Sequence, residues 1–163
     1  MNIISVTLDH LEQIAPLFDA YRVFYGQASD ITSAREFLRQ RLLLRETVLF
    51  LALENDVPLG FTQLFPSFTS VGMQRLWILN DLYVIPASRG QRVGERLIER
   101  ALAHAKESGA KGVVLETAHT NLSGQKLYER MGFMREDLEY RTYFKAVTTT
   151  LGSSQVFQQL VRV

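Results

Sequence analysis

The sequence predicts an α/β fold in a single domain. Three observations predict it. Strand-patterned and helix-patterned segments alternate along 163 residues, with no internal repeat or linker between them. An apolar strand, a short basic loop containing glycine and an amphipathic helix follow one another over residues 82–97. The length suits a single core of useful size. The domain is expected over 1–147, and the tail 148–163 is left without an assigned structure.

In chain order, Ile3 to Thr7 reads as a strand. Leu8 to Phe24 reads as a helix, with Leu11, Ile14, Leu17, Phe18 and Tyr21 near helical spacing, interrupted by Tyr25-Gly26. A second helix is expected from about Ser33 to Leu44, with Phe37, Leu38 and Leu42 inward. Val48–Leu53 and Leu59–Phe65 are apolar runs joined by Glu54-Asn55-Asp56-Val57-Pro58, a hairpin signature. Pro66 to Gly72 reads as a loop, and Gln74 to Val84 as a long strand with Leu76, Ile78, Leu82 and Val84 on one side. The next helix starts near Arg92, places Val93, Leu97, Ile98, Ala101, Leu102 and Ala105 on one stripe, and stops at Ser108-Gly109. Gly112–Ala118 is a short strand. Thr120 or Asn121 caps a helix that runs to about Met131, with Gly132 as its stop. Aromatic alternation at Tyr140, Tyr143 and Phe144 marks further strand over Phe133–Val147.

Composition narrows the chemistry. Hydrophobic residues at 47% and charged residues at 21% are ordinary for a soluble globular chain. A formal net charge of +1 advertises neither a nucleic-acid face nor a membrane surface. The absence of cysteine removes disulfides, a cysteine nucleophile and thiolate metal sites together. His10, His104 and His119 lie far apart and show no metal-ligand spacing, so no metal is expected. No basic leader or transmembrane-length run is visible, and a cytoplasmic protein is the default expectation.

The loop Ile85-Pro86-Ala87-Ser88-Arg89-Gly90-Gln91-Arg92-Val93-Gly94 leads directly into a helix N-terminus. Such a terminus presents unpaired N–H groups and a partial positive charge, which suits a phosphate. It is neither G-x-G-x-x-G nor a P-loop, since no Gly-Lys-Ser/Thr completes it. It resembles the pyrophosphate loop of the GCN5-related N-acetyltransferase superfamily, Q/R-x-x-G-x-G/A. Arg89 fills the first position and Gly94 the last, while Arg92 stands where the middle glycine is usual. Downstream, Asn121, Leu127, Tyr128, Gly132 and Phe133 match that superfamily's later segment N-x-x-A-x-x-L-Y-x-x-x-G-F, with Gly124 in place of alanine. The stretch Leu79-Asn80-Asp81-Leu82-Tyr83-Val84, with Phe24-Tyr25 upstream, is similar to the branch containing yeast histone and polyamine acetyltransferases.

The resemblance implies a mixed central sheet with helices on both faces, two parallel strands in it that splay, and an acetyl-CoA whose pantetheine arm pairs with Leu82, Tyr83 and Val84 as an added strand would. The pyrophosphate would be held at Arg89, Gly90, Gln91, Arg92, Val93, Gly94 and Glu95, mainly by backbone N–H groups, which tolerates Arg92 provided its φ stays negative. The Arg92 side chain either adds a phosphate contact or points into solvent. Asn121 and Tyr128 complete the implied cofactor set. The implied reaction is direct attack of a primary amine on the thioester in a ternary complex. Glu116, five residues before Asn121, or Asp81 on the neighbouring strand takes the amine proton, with His119 a further relay candidate. A backbone N–H near Tyr83 faces the oxyanion, and Tyr128 supplies the departing thiolate with a proton. Tyr128 also lies on the stripe Gly124–Leu127–Met131, which suits a core tyrosine equally well.

The implied acceptor is a small amine, amino acid, polyamine or lysine side chain. Tyr21, Phe24 and Tyr25, with Tyr140 and Tyr143, are its candidate aromatic lining. Alternatives from other classes are a non-catalytic acyl-CoA sensor, a phosphotransferase (short of its lysine and metal ligands) and an acetyltransferase acting on charged tRNA. Val156, Phe157, Leu160 and Val161 form one apolar stripe if helical, from which a homodimer is expected.

Overall fold

The computed structural model describes residues 1–135, 145 and 147. Its backbone contacts group into two compact units, Met1–Leu115 and Glu116–Val163. The first carries a five-stranded sheet in the order β1-β2-β3-β4-β5: β1 Asn2–Ser5, β2 Val48–Glu54, β3 Val57–Thr69, β4 Gln74–Val84 and β5 Gly112–Val114. The first four pair antiparallel and β5 joins β4 in parallel, so the sheet is mixed as expected.

Helix α1 (Leu11–Phe24) follows a short 3₁₀ turn capped by Thr7, and α2 (Ile31–Leu43) is capped by Asp30, whose carboxylate accepts from the Ser33 N–H at 3.0 Å. Leu11, Ile14, Leu17, Phe18 and Tyr21 of α1 and Ala34 and Leu38 of α2 pack with Leu49, Leu51 and Phe61 on one face of the sheet. Leu42 is partly buried against this core, while Phe37 stays 39% exposed and stacks on Phe18 at 5.6 Å. The α1–α2 connection is pinned by buried Asp19, which accepts from Ser29 Oγ at 2.5 Å, the Asp30 N–H at 2.8 Å and Arg22 Nη1 at 3.0 Å. These donors favour the carboxylate, and the Asp19 pKa falls below its ordinary value, the Ser29 hydroxyl first among the causes. On the opposite face lies α3 (Val93–Glu107), burying Val93, Leu97, Ile98, Ala101 and Ala105. His104 of α3 meets the Phe50 and Trp77 rings there, at 5.7 and 4.8 Å.

The β2–β3 hairpin closes on Asn55 and Asp56 at φ of 49° and 64°, the paired positive values of a type I′ turn. At Gly60 a Cβ would lie 2.4 Å from the Tyr83 carbonyl oxygen, so only glycine lets β3 approach β4 this closely.

Three expectations about strands need correction. Pro66–Thr69 is not loop but strand, pairing Pro66 with Trp77 through Thr69 with Gln74. Pairing with β2 stops at Leu64, so Pro66 sits on a two-stranded arm where its missing N–H deprives no ladder. Strand β5 ends at Val114 rather than Ala118. Lastly, Leu76, Ile78, Leu82 and Val84 do not share one side of β4. Leu79 pairs with Leu64 and Asp81 with Gln63, which leaves Asn80 as the extra residue of a bulge. That bulge reverses the alternation, so Leu82 and Val84 face the side opposite to Leu76 and Ile78.

The second unit contains α4 (Leu122–Arg130), ending before Gly132 at φ 87°. The expectations for Tyr140, Tyr143 and residues 148–163 lie outside the described residues.

Candidate functional site

The strand-to-helix turn has the backbone geometry of a candidate anion site. After β4, a 3₁₀ turn at Pro86–Ser88 leads through Arg89–Arg92 into α3. Gly90 and Arg92 take φ of 75° and 63°, and alternation of left-handed with ordinary residues turns successive N–H groups toward one concavity. No carbonyl among the described residues accepts from the N–H groups of residues 90–94. The helix positive end adds to the same focus. The expectation of a negative φ at Arg92 is overturned. Arg92 adopts the left-handed conformation of the glycine usual there, at a cost of about 1–2 kcal/mol, because the nest geometry requires it.

The side chains around the loop brace it. Arg92 Nε binds Glu95 Oε2 at 2.7 Å with the arginine 77% exposed, so it points into solvent along the helix surface. Gln91 Nε2 donates to the Ala87 carbonyl at 3.0 Å. Arg89 Nε donates to the Val84 carbonyl at 3.1 Å, and its guanidinium lies 5.6 Å from the Phe24 ring centroid. That contact ties the loop to the C-terminal end of α1 and occupies Phe24, which is otherwise exposed.

Beside the loop, β4 outruns its parallel partner. Pairing with β5 covers Leu76 to Ile78 only, so Leu79–Val84 has no β5 neighbour along that edge. An edge without a strand partner among the described residues, next to that loop, has the form to suit a ligand with a phosphate at one end and an amide-bearing chain beyond it. Pantetheine pyrophosphate has that chemistry.

Asp81 is the unusual group here. It is buried, 4% exposed, because the Asn80 bulge turns it away from the α3 face of Leu79 and Trp77 toward α1. Burial pushes its carboxyl up to about 6, against hydrogen bonds from Tyr21 and Asn80 that pull it down. Asn80 Nδ2 donates to Oδ1 at 3.1 Å. The same face holds Tyr83, 6.3 Å from Tyr21 and 6.4 Å from Phe61 between ring centroids. Of the candidate acceptor residues, Tyr21 is buried in the core cluster, Tyr25 packs against it at 5.0 Å, and Phe24 lies at the surface under Arg89. The sequence reading missed Gln63, fully buried opposite Asp81. Its only sequence signal is an amide within the apolar run Leu59–Phe65.

In the second unit, Asn121 caps α4. Its Oδ1 accepts from the Gly124 N–H at 3.1 Å and its Nδ2 donates to Thr117 Oγ1 at 3.0 Å. A Cβ at Gly124 would meet Asn121 Nδ2 at 2.4 Å and Cγ at 2.9 Å. Glycine there, where alanine is usual, leaves room for this cap. Tyr128 is buried with its ring 6.0 Å from Phe133. Glu116 and His119 are exposed. Among the described residues no His, Asp or Glu cluster could hold a metal, and no helix is long and apolar enough to cross a membrane.

Residues 11–133 match the family model described as "Acetyltransferase (GNAT) family". The chain is 45% identical over 143 residues to "Uncharacterized N-acetyltransferase YhfO" of Bacillus subtilis (strain 168), covering 88% of this chain and 95% of that protein. It is 31% identical to "D-amino-acid N-acetyltransferase HPA3" of Saccharomyces cerevisiae over 54% of this chain and 55% of that one. A crystal structure described as that of a probable acetyltransferase superposes with a TM-score of 0.84 at 44% identity, covering 91% of this chain and 99% of the other. The family model, the relatives and the superposed structure agree: the chain belongs to the GNAT family and is an acetyl-CoA-dependent N-acetyltransferase.

Proposed function

We propose that residues 1–147 act as one catalytic domain that transfers acetyl from acetyl-CoA to a primary amine by direct attack, with Asp81 as the group that receives the amine proton. The observation that carries this is a buried carboxyl held at about 6 on the strand that borders the cofactor loop. Acetyl-CoA, when bound, supplies the activated acyl group. The N–H groups of residues 90–94 hold its pyrophosphate, and the free edge of Leu82–Val84 receives its amide-bearing arm. Glu95 belongs to the same first turn of α3.

Enclosure favours Asp81 over Glu116 as the base. An alkylammonium near 10.4 gives its proton to an ordinary aspartic carboxyl at 3.8 with a cost of about 9 kcal/mol, at ~1.36 kcal/mol per unit. Asp81 at about 6 reduces that to about 6 kcal/mol. Glu116 is exposed to water and has no comparable enclosure. Tyr128, buried on α4, is assigned the proton for the departing thiolate, and Asn121 holds the start of that helix.

The acceptor is a compact amine, and the yeast relative's printed name supports placing free amino acids of both hands beside polyamines and lysine peptides in one panel. Release of CoA thiol with such a panel is the test. One or more amines should give turnover, and Asp81→Asn should lower kcat by roughly 10²–10⁴, the span of general base catalysis. Thiol release with no amine in the panel, in protein that binds acetyl-CoA, would favour an acyl-CoA sensor instead.

A further inference from the structure

Gln63 is fully buried at the centre of β3, and its Oε1 has no hydrogen-bond partner among the described residues. A buried acceptor left without a donor is destabilising, so its persistence calls for a physical role. The amide cannot relieve itself by flipping. Gln63 Nε2 donates to Thr47 Oγ1 at 2.9 Å, and the single Thr47 hydroxyl proton is committed to the Leu64 carbonyl at 3.1 Å. Thr47 can therefore only accept from Gln63, which directs Nε2 toward it and Oε1 away.

Gln63 and Asp81 are Cα partners in the antiparallel β3–β4 ladder. Side chains of such partners share a face, with Cβ atoms about 4.5–5.5 Å apart. Two groups that only accept, a fixed carbonyl oxygen and a carboxylate, thus share a dry face. A single proton relieves both. From these observations we infer that Gln63 is a positioning residue for Asp81: its preset Oε1 accepts the O–H of the protonated carboxyl and so holds the proton that Asp81 takes from the acceptor amine.

The proton balance is simple. The amine N–H bond breaks, the Asp81 O–H bond forms, and that O–H donates to Gln63 Oε1 until it is returned to solvent after product leaves. Among the described residues, the other polar side chains at Asp81 favour its charged form. From α1 the titratable group at Asp81 is the Tyr21 hydroxyl, and from β4 itself Asn80 donates to the carboxyl; both pull its pKa down. Tyr83 is the next residue of β4 on that face. From β3, Thr62 Oγ1 donates to the Asp81 backbone carbonyl rather than the carboxyl. Helix α3 packs on the other face, and no charged side chain among the described residues contributes to the Asp81 shift.

The purpose of this pair rests on Asp81 as the base proposed above, yet its test does not require turnover. Gln63→Met keeps length and apolar packing while removing Oε1, and Gln63→Leu is the second variant. For each, unfolding stability is measured against pH beside the same variant carrying Asp81→Asn, so that the difference reports Asp81 alone. Loss of Oε1 removes an acceptor from the neutral form and a repulsion from the charged form. Both lower the Asp81 midpoint, and a downward shift of about one unit or more is expected, with the acid limb of kcat/KM moving with it. A midpoint unchanged from the wild type would overturn the assignment, even if acetyl transfer were lost. A shifted midpoint with no acetyl transfer in the wild type would leave the pair standing and remove the base role.

Discussion

Replacing Asp81 with asparagine should make the protein more stable at neutral pH, against the usual expectation for a buried polar residue. The Asp81 carboxyl titrates at about 6 in the folded chain and at 3.8 as a free side chain. Its folded pKa is therefore raised, so its contribution is intact below about pH 4 and is lost as pH rises through 6. The difference is about two units, or ~3 kcal/mol at 1.36 kcal/mol per unit. The amide of the variant cannot titrate and still accepts from the Tyr21 hydroxyl. Chemical denaturation of both proteins from pH 4 to 7.5 should show the variant's advantage growing by about 3 kcal/mol over that range, or roughly 6–12 °C in Tm for a chain of this size. Other groups, including Asp19, whose depressed pKa makes it a stabiliser lost on the acid side, cancel in the difference. Two curves that stay parallel across the range would refute the claim that burial holds this carboxyl up.

Three further outcomes are expected. Acetyl-CoA at a hundredfold excess over Kd should stabilise the wild type by about 2.7 kcal/mol. Gly94→Pro, which removes an N–H donor from the loop, should abolish this in a thermal-shift titration of folded protein; a full response in the variant would displace the anion site from residues 90–94. Tyr128→Phe keeps the ring against Phe133 and should leave CoA affinity within a few-fold while kcat falls roughly 10²–10⁴; undiminished turnover would return Tyr128 to a packing role. Deleting residues after Thr150 should weaken a homodimer seen by light scattering at micromolar concentration, and a monomer mass for the full chain would end the dimer proposal.

Local signals carried much of what the sequence by itself determined. The loop-to-α3 turn, the Asn55-Asp56 hairpin and the Asn121 cap of α4 each depend on residues within a few positions of one another, where backbone preference and hydrogen-bonding reach act directly. The family match through residues 11–133 is of the same kind, because its motifs are short and ordered. What the tertiary structure decided involves partners distant in the chain. The left-handed Arg92 is imposed by the nest it completes, and Arg89 lies over Phe24 from another element. The facing of Asp81 was illegible for a specific reason: strict alternation puts it beside Leu79 and Trp77, and only a bulge created by pairing with β3 turns it toward α1. Gln63 looked like one more residue of an apolar strand. Its place opposite Asp81, and the Thr47 hydroxyl that orients its amide, exist only once β2, β3 and β4 lie side by side. Register between strands is set by the whole sheet, and it is register that brings these two acceptors to one face.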